Sequence, residues 1–356
     1  MKKLLAAILC LGLLASCSGA PSVQSASSGS SGPATSAPAS SSSTSAGGID
    51  YTKGDSHKFV AATGVVMNNP IQLAISEMNR VLTEKTNGRL TFDEYHNSAL
   101  GSERDLLEQE STGMIDCVGG GSQVAYNFVQ TCGLFDLPYL FLSDEHAKAV
   151  LGSDIGDGIL KEFDGTGIKA LSWVACGWRN VTANKQLSGP ADMAGVKIRV
   201  LENQVYMDMF SEIGASPTPM AFTEVYTALQ QGTVDAEDNP LIVINSAKFD
   251  EVQKYIYLTE HTFAAGLITF SQDVFDSLPD TDQALIQSVA SQMLDYSFQA
   301  SDKVKADSLA EISSRGNAEV VEVDKTVWSE AMSGVYPKYE DTYGADLIDS
   351  ILNFKY

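Results

Sequence analysis

Basic residues are scarce in this chain. Its 356 residues include 23 Lys and Arg against 45 Asp and Glu, which gives a formal net charge of −22 at pH 7. Nucleic-acid binding needs clustered Lys and Arg to neutralise phosphates, and binding to anionic membranes needs a basic patch. The charge therefore argues against both functions. An anionic ligand fits only where local positive groups overcome the general negative field.

Motifs of metal, nucleotide and nucleophile chemistry are also missing. The sequence has no HExxH, no GxSxG and no P-loop. A GxGxxA match at residues 165–170 precedes an apolar strand instead of following one, so it cannot hold a pyrophosphate at a helix start. The four histidines lack metal-ligand spacing: His57, His96, His146 and His261. We therefore expect no catalytic residue, no metal and no cofactor.

Apolar segments long enough to span a membrane are absent beyond the N-terminus, where "MKKLLAAILCLGLLASCSGA" has two lysines and a short apolar run. Its small residues before Cys17 resemble a bacterial lipoprotein signal, which predicts a signal peptide over 1–16 and lipidation of Cys17. An ordinary secretory signal with an incidental cysteine is the alternative. Residues 17–48 are almost wholly small and uncharged after the cysteine, and they predict a flexible tether. This layout predicts a lipid-anchored protein at the extracytoplasmic face of the cell membrane.

Cysteines are few and carry little further information. Cys10 would leave with the signal and Cys17 would carry the lipid. Cys117, Cys132 and Cys176 remain, an odd number without CxxC spacing. One disulfide is possible, but three small buried hydrophobic residues explain them at least as well.

The globular part shows two α/β series. "HKFVAATGVV" predicts a strand, a helix begins at Asn69-Pro70 and ends at "TNGR", and two further strands flank a short helix up to "MIDCVGGG". This βαβαβ opening predicts a largely parallel sheet. A second series runs through the strand "GVKIRV", two helices and the strand "TVDAEDN". Residues 281–316 predict one long helix that braces both series.

Two arginines and an asparagine follow or end strands of this second part. Arg199 lies in "VKIRV", Arg179 follows an apolar strand, and Asn239 follows "TVDAED". Ligands of α/β sheets bind beyond the carboxyl ends of strands, and arginine offers a planar fork that binds a carboxylate through two hydrogen bonds. These residues predict a carboxylate site. The alternative is that each arginine pairs with Glu202, Asp208 or Glu237 on the surface.

The central motifs resemble one family. "GWR", "DMAGVKIR", "GASPTPM", "EVYTALQQGTVDAEDNP" and "EVQKY" occur in order, as in the DctP-type substrate-binding proteins of tripartite ATP-independent periplasmic (TRAP) transporters. The resemblance covers roughly residues 55–350. It implies an α/β, two-lobe periplasmic-binding-protein-like fold, with a ligand cleft between the lobes and a long bracing helix. The implied lobes are 49–176 plus 265–304 and 177–264 plus 305–356.

The resemblance also implies the ligand contacts. Arg199 would bind the substrate carboxylate, Arg179 would be a second contact, and Asn239 would orient the carboxylate. The remaining ligand-binding candidates are Phe222, which would pack on the ligand, Glu103, which would contact ligand hydroxyls, and Trp178 beside Arg179.

Some positions depart from the family pattern. The frequent VDGxEN motif reads "VDAEDNP", with Ala236 for glycine and Asp238 for glutamate. Gly121 stands where members that bind sialic acid have an acidic residue, which argues against that ligand.

The function that follows is capture of a small organic acid, such as a sugar acid or dicarboxylate, by cleft closure. The protein would deliver it to TRAP membrane subunits, and a monomer is the simpler expectation. One alternative is a binding protein of an ABC-type importer or a surface receptor. Another is a secreted hydrolase using Glu237 and Asp238, although adjacent carboxylates on a strand point to opposite faces.

Overall fold

The computed structural model describes residues 49–356. The predicted signal peptide, the lipidated Cys17 and the tether lie outside these residues. The strands are β1 His57–Thr63, β2 Leu90–Tyr95, β3 Cys117–Gly121, β4 Ile168–Ala183, β5 Lys197–Val200, β6 Ser216–Pro219, β7 Ala236–Pro240, β8 Tyr255–Ser271 and β9 Glu319–Val321. The helices are α1 Pro70–Thr86, α2 Glu103–Glu110, α3 Ser122–Ala125, α4 Asp144–Leu151, α5 Asp154–Lys161, α6 Gln204–Glu212, α7 Val225–Gln230, α8 Leu241–Ser246, α9 Gln272–Ser277, α10 Asp280–Arg315, α11 Lys325–Met332, α12 Glu340–Tyr343 and α13 Ala345–Leu352.

The strands form one twisted path in the order β2-β1-β3-β8-β4-β7-β5-β6, with β9 beside β8. The strands of the two α/β series lie at opposite ends of this path, and the long strands β4 and β8 run through both. The α/β two-lobe fold class is thus confirmed. The residues at which the chain passes between the lobes stay a prediction.

The predicted parallel pairing holds only at the two ends. β1 pairs in parallel with β2 and β3, and β5 does so with β6 and β7. In the centre, β3 with β8, β8 with β4, and β4 with β7 are antiparallel. The expectation of a largely parallel sheet was therefore wrong there. The βαβ pattern reports only neighbouring elements, whereas β4 and β8 are paired across more than seventy residues of chain, between Ala183 and Tyr255.

Helix α1 begins where the sequence predicts. The side chain of Asn69 accepts a hydrogen bond from the backbone N–H of Ile71, and Pro70 occupies the first turn. Asn87 ends the helix in the left-handed conformation. Because Asn69 also faces the ligand cleft, the capping residue fixes the start of α1 at the edge of the site.

The predicted long helix is α10, which has 36 residues. It packs against α1 and β4 and also against α8, so it contacts elements of both series. At its start, Asp282 accepts two hydrogen bonds from the guanidinium of Arg89, at 2.6 and 2.7 Å. This buried ion pair joins α10 to the residue before β2.

Cys117, Cys132 and Cys176 are buried and free, so the interpretation as small hydrophobic residues is confirmed. Among residues 49–356, no helix is both long and apolar enough to cross a membrane.

Candidate functional site

The described residues form a cleft of about 100 Å³. One water molecule needs about 10–15 Å³ on this measure, so the cleft accepts a small organic molecule. Its lining comes from both α/β series and includes Asn69, Glu103, Gln123, Arg179, Arg199, Met220, Phe222, Asn239 and Val243. Five of the six predicted ligand-binding residues are thereby brought together.

Arg199 is a buried cation without a carboxylate partner among the described residues. Its Nε and Nη2 donate to the carbonyl oxygen of Met220 at 3.0 and 2.7 Å, and its residue exposure is 2%. Burial, together with the charge of Arg179, lowers the pKa of Arg199 to about 10. Arg199 therefore stays charged at neutral pH. A bound anion would compensate this buried positive charge, which is unfavourable without a partner.

Arg179, by contrast, is already neutralised. Its Nε donates to Asp238 Oδ2 at 2.5 Å, and its Nη2 donates to the backbone carbonyl of Asp238. Burial would lower the pKa of Arg179, but the charge of Asp238 outweighs it and raises that pKa. The guanidinium also lies over the ring of Tyr206, 5.2 Å from its centroid. Arg179 does not form an ion pair with Glu202, Asp208 or Glu237, the partners that the sequence offered as an alternative.

His261 is a second neighbour of the Asp238 carboxylate. Its Nδ1 lies 2.8 Å from the hydroxyl of Thr259, and its Nε2 lies 3.3 Å from Asp238 Oδ2. Burial disfavours the charged form of Asp238, but Arg179 and His261 outweigh it and lower its pKa. The carboxylate is consequently ionised, and His261 is a hydrogen-bonded structural residue.

Asn239 faces the cleft from β7. Its Nδ2 donates to Glu237 Oε2 at 2.5 Å, which fixes the orientation of the amide. Glu237 itself is buried beside Thr182 and has no cationic partner among residues 49–356. Asp238 therefore bonds to Arg179, and Glu237 bonds to Asn239 and Thr182.

Glu103 brings a carboxylate to the other side of the cleft. It is the first residue of α2, and its Oε1 accepts from the backbone N–H of Gly121 at 2.9 Å. Burial raises the pKa of Glu103 against the charges of Arg179 and Arg199. Beside it, Gln123 lines the cleft with a buried Nε2 that has no partner in the described part of the chain. The cleft thus offers a cation at one side and polar groups at the other.

The two aromatic candidates differ in position. Phe222 lies in a 3-10 turn before α7, lines the cleft and packs on Phe249 at 6.1 Å between ring centroids. Trp178 is not among the residues that line the cleft. Its Nε1 donates to Asp144 at 2.9 Å and its ring packs on Phe263. Successive residues of a strand point to opposite faces, so the placement of Trp178 beside Arg179 in sequence was misleading.

Sequence reasoning did not identify most of the residues that line the cleft, among them Asn69, Gln123 and Val243. Asn69 was predicted only as a helix cap, and Gln123 follows a glycine run that carries no chemical signal. Within residues 49–356, no group of three or more His, Cys, Asp or Glu side chains is placed to hold a metal ion.

A cleft between two α/β lobes, with buried positive charge, is typical of binding proteins that close over small anions. The family model of bacterial extracellular solute-binding protein, family 7, matches residues 61–342, and the chain belongs to this family. A solute-binding protein of Verminephrobacter eiseniae is 36% identical over 280 residues, which cover 78% of this chain and 84% of the relative.

Solved TRAP periplasmic solute-binding proteins share the fold. One from Polaromonas, bound to D-erythronate, has a TM-score of 0.80 at 31% identity and covers 84% of this chain and 99% of its own. One from Bordetella, with density interpreted as pantoate, has a TM-score of 0.81 at 34% identity and covers the same shares. Further structures of this kind hold galacturonate and succinate. The protein is thus an extracytoplasmic solute-binding protein of the TRAP type, and its named relatives are transport proteins rather than enzymes.

Proposed function

We propose that this protein captures a hydroxylated monocarboxylate, such as an aldonate or uronate, rather than a dicarboxylate. The observation that carries the proposal is that a guanidinium and a carboxylate face the same cleft without pairing with each other. Arg199 is a buried cation without a carboxylate partner among residues 49–356, and Glu103 is a carboxylate that faces the same cavity. The ligand carboxylate binds Arg199, with Arg179 and Asn239 beside it, while Phe222 packs against its carbon chain.

Glu103 determines the other end of the ligand. An ionised carboxylate accepts hydrogen bonds only, so it favours a hydroxyl donor and repels a second carboxylate. A polyhydroxy acid places a hydroxyl donor on Glu103, whereas a dicarboxylate places two negative groups together in a poorly solvated cleft.

A matched ligand pair tests this proposal. D-erythronate and meso-tartrate share the carbon chain and differ in having a terminal hydroxyl or a second carboxylate. By thermal shift and calorimetry at about pH 8, we expect meso-tartrate to bind at least tenfold more weakly than D-erythronate. In the Glu103→Gln variant the affinities for the two ligands should differ less, because the substitution removes the repelling charge and keeps the side-chain shape.

Erythritol, the neutral analogue, is the control for the carboxylate. If erythritol stabilises the protein as well as D-erythronate does, the arginines are structural and the carboxylate site is wrong. If meso-tartrate binds as tightly as D-erythronate to both the wild type and Glu103→Gln, the monocarboxylate class is wrong while the carboxylate site stands.

The protein acts from the membrane surface in this proposal. Cys17 carries the lipid, residues 18–48 form the tether, and TRAP membrane subunits receive the ligand. Support comes from the lysines, short apolar run and small residues before Cys17. The lobes in this proposal are 49–176 plus 265–304 and 177–264 plus 305–356. Gly177, at one of these boundaries, holds a φ of +119° beside a register shift of β4.

Changing the lipidated cysteine should release the protein. We expect Cys17→Ala to move it from the membrane fraction to the soluble fraction and to abolish palmitate labelling, because one covalent lipid is then missing. Cys132→Ala is the matched control, since that thiol is buried in the globular part and should not affect fractionation. Palmitate labelling retained in Cys17→Ala would contradict the assignment.

A further inference from the structure

Asn239 begins a hydrogen-bonded network of four polar side chains that the carboxylate site does not explain. Asn239 donates to Glu237 Oε2, Glu237 Oε1 lies 3.0 Å from the hydroxyl of Thr182, and the same hydroxyl lies 3.1 Å from Gln253 Oε1. All four residues are at most 5% exposed. Bulk solvent therefore does not reach Glu237, Thr182 or Gln253.

The number of protons available in this network determines whether Glu237 is protonated. The hydroxyl of Thr182 has one proton, yet both of its neighbours are oxygens that accept. Rotating the amide of Gln253 would not help, because its Nε2 donates to the carbonyl of Val252 at 3.0 Å and an oxygen there would face another oxygen. A second proton is needed. Glu237 supplies it when it is protonated and donates to Thr182, which then donates to Gln253.

We propose that Glu237 binds a proton through its hydrogen bond with Thr182, which in turn bonds to Gln253, that it positions the amide of Asn239 for a bound carboxylate, and that ligand capture raises the protonated fraction of Glu237 and is thereby coupled to uptake of a proton. Glu237 is a positioning residue in this inference, because it acts on the ligand through Asn239. The inference rests on the proposed carboxylate site.

The charges around Glu237 agree with this assignment. The charged groups within electrostatic range of Glu237 are Asp238, the next residue of its own strand, Arg179 on β4 and Arg199 on β5. Arg179 is engaged by Asp238, so no cation of the described residues is left to pair with Glu237. Burial and the charge of Asp238 raise the pKa of Glu237 to about 7, against the hydrogen bond from Asn239.

A bound carboxylate adds another negative charge nearby and raises this pKa further. The complex therefore holds the proton more tightly than the free protein does, and affinity falls as pH rises through about 7. If the ligand raises the pKa by about one unit, binding is about fivefold weaker at about pH 8 than at about pH 6. The ligand carboxylate is ionised throughout this range and does not contribute to the step.

Calorimetry with D-erythronate across this pH range tests the coupling. In buffers of different ionisation enthalpy, the wild type should take up a fraction of a proton on binding. Glu237→Gln retains a donor for Thr182 and an acceptor for Asn239 but cannot titrate, so both the pH step and the proton uptake should disappear. Glu237→Ala should bind more weakly than Glu237→Gln at every pH, because Asn239 loses its partner.

Two further variants test whether other carboxyl groups contribute to the pH dependence of binding. Asp136 is buried near Arg179 and its pKa is raised to about 8 by burial, so Asp136→Asn identifies any step that it contributes. Glu319 is exposed on β9, and Glu319→Gln should keep the wild-type step. A pH step of wild-type size in Glu237→Gln would overturn the inference.

A measurement without ligand keeps the inference separate from the proposed carboxylate site. The pKa of Glu237 is higher in the folded protein than in the unfolded chain, where it is about 4.3. Its stabilising contribution is therefore complete below about pH 4.3 and is lost as pH rises through about 7. Urea unfolding should show this loss for the wild type and not for Glu237→Gln. Absence of the difference would refute the protonated Glu237 even if D-erythronate binds, and its presence without binding would place the failure in the carboxylate site.

Discussion

Replacing Arg199 with lysine weakens binding of the ligand at least tenfold, and replacing it with alanine removes measurable binding. Two of the five N–H groups of the Arg199 guanidinium donate to the carbonyl of Met220, which fixes the plane of the group. The other N–H groups remain available to a carboxylate through two parallel hydrogen bonds. A lysine ammonium has no plane to fix and cannot form that pair.

Isothermal calorimetry with D-erythronate measures this effect, and a tenfold loss corresponds to about 1.4 kcal/mol. Arg80→Lys is the matched control, because Arg80 is exposed on α1 and pairs with Glu77 and Glu84 away from the cleft. Affinity close to that of the wild type in Arg199→Lys would show that Arg199 is not the main carboxylate contact. Thermal unfolding of each variant without ligand distinguishes lost binding from lost folding.

Local signals in the sequence were sufficient for much of the fold. Asn69-Pro70 is a cap followed by a proline, and such a pair defines a helix start without any distant contact. The same holds for the long helix α10, whose residues have helical character throughout. These elements depend on neighbours within one or two turns, so one sequence contains the information.

The shared location of Arg199 and Asn239 was also predictable, because each lies at or near the end of a strand. Arg179, which was expected to follow a strand, lies inside β4, because this strand continues beyond it. Which carboxylate would face which arginine was not predictable. Asp238 meets Arg179 because β7 pairs antiparallel with β4, with Val181 opposite Asp238. A shift of this register by one residue would turn the carboxylate to the other face of the sheet. Pairing between distant strands leaves no mark on local sequence patterns.

Asp238 compensates one of the two guanidiniums beside the cleft. The charge of Arg179 lowers the pKa of Arg199, and Asp238 compensates for Arg179. A bound carboxylate compensates for Arg199. The free protein therefore contains one uncompensated buried cation at the cleft, which ligand binding removes, and loss of Asp238 would leave two.

Replacing Asp238 with asparagine should therefore destabilise the free protein by about 3–5 kcal/mol, the usual effect of removing one partner from a buried ion pair. The pKa of Asp238 is lowered in the folded state, so its contribution is present above the unfolded value of about 3.9 and is lost as pH falls below it. Urea unfolding should show the difference from the wild type at neutral pH and a smaller difference in acid.

The ligand gives this prediction a second readout. D-erythronate should stabilise Asp238→Asn more than it stabilises the wild type, because the anion then compensates for two guanidiniums instead of one. Asp250→Asn is the matched control: Asp250 is a buried carboxylate paired with Arg315, which is outside the cleft and has a side-chain exposure of 23%. The Asp250→Asn substitution should lower the free energy of unfolding by less than Asp238→Asn does, because water can solvate Arg315. The ligand should not restore the stability lost in Asp250→Asn. Equal stability of Asp238→Asn and wild type would show that the charge of Arg179 needs no partner, and the buried ion pair would then have no part in shaping the carboxylate site.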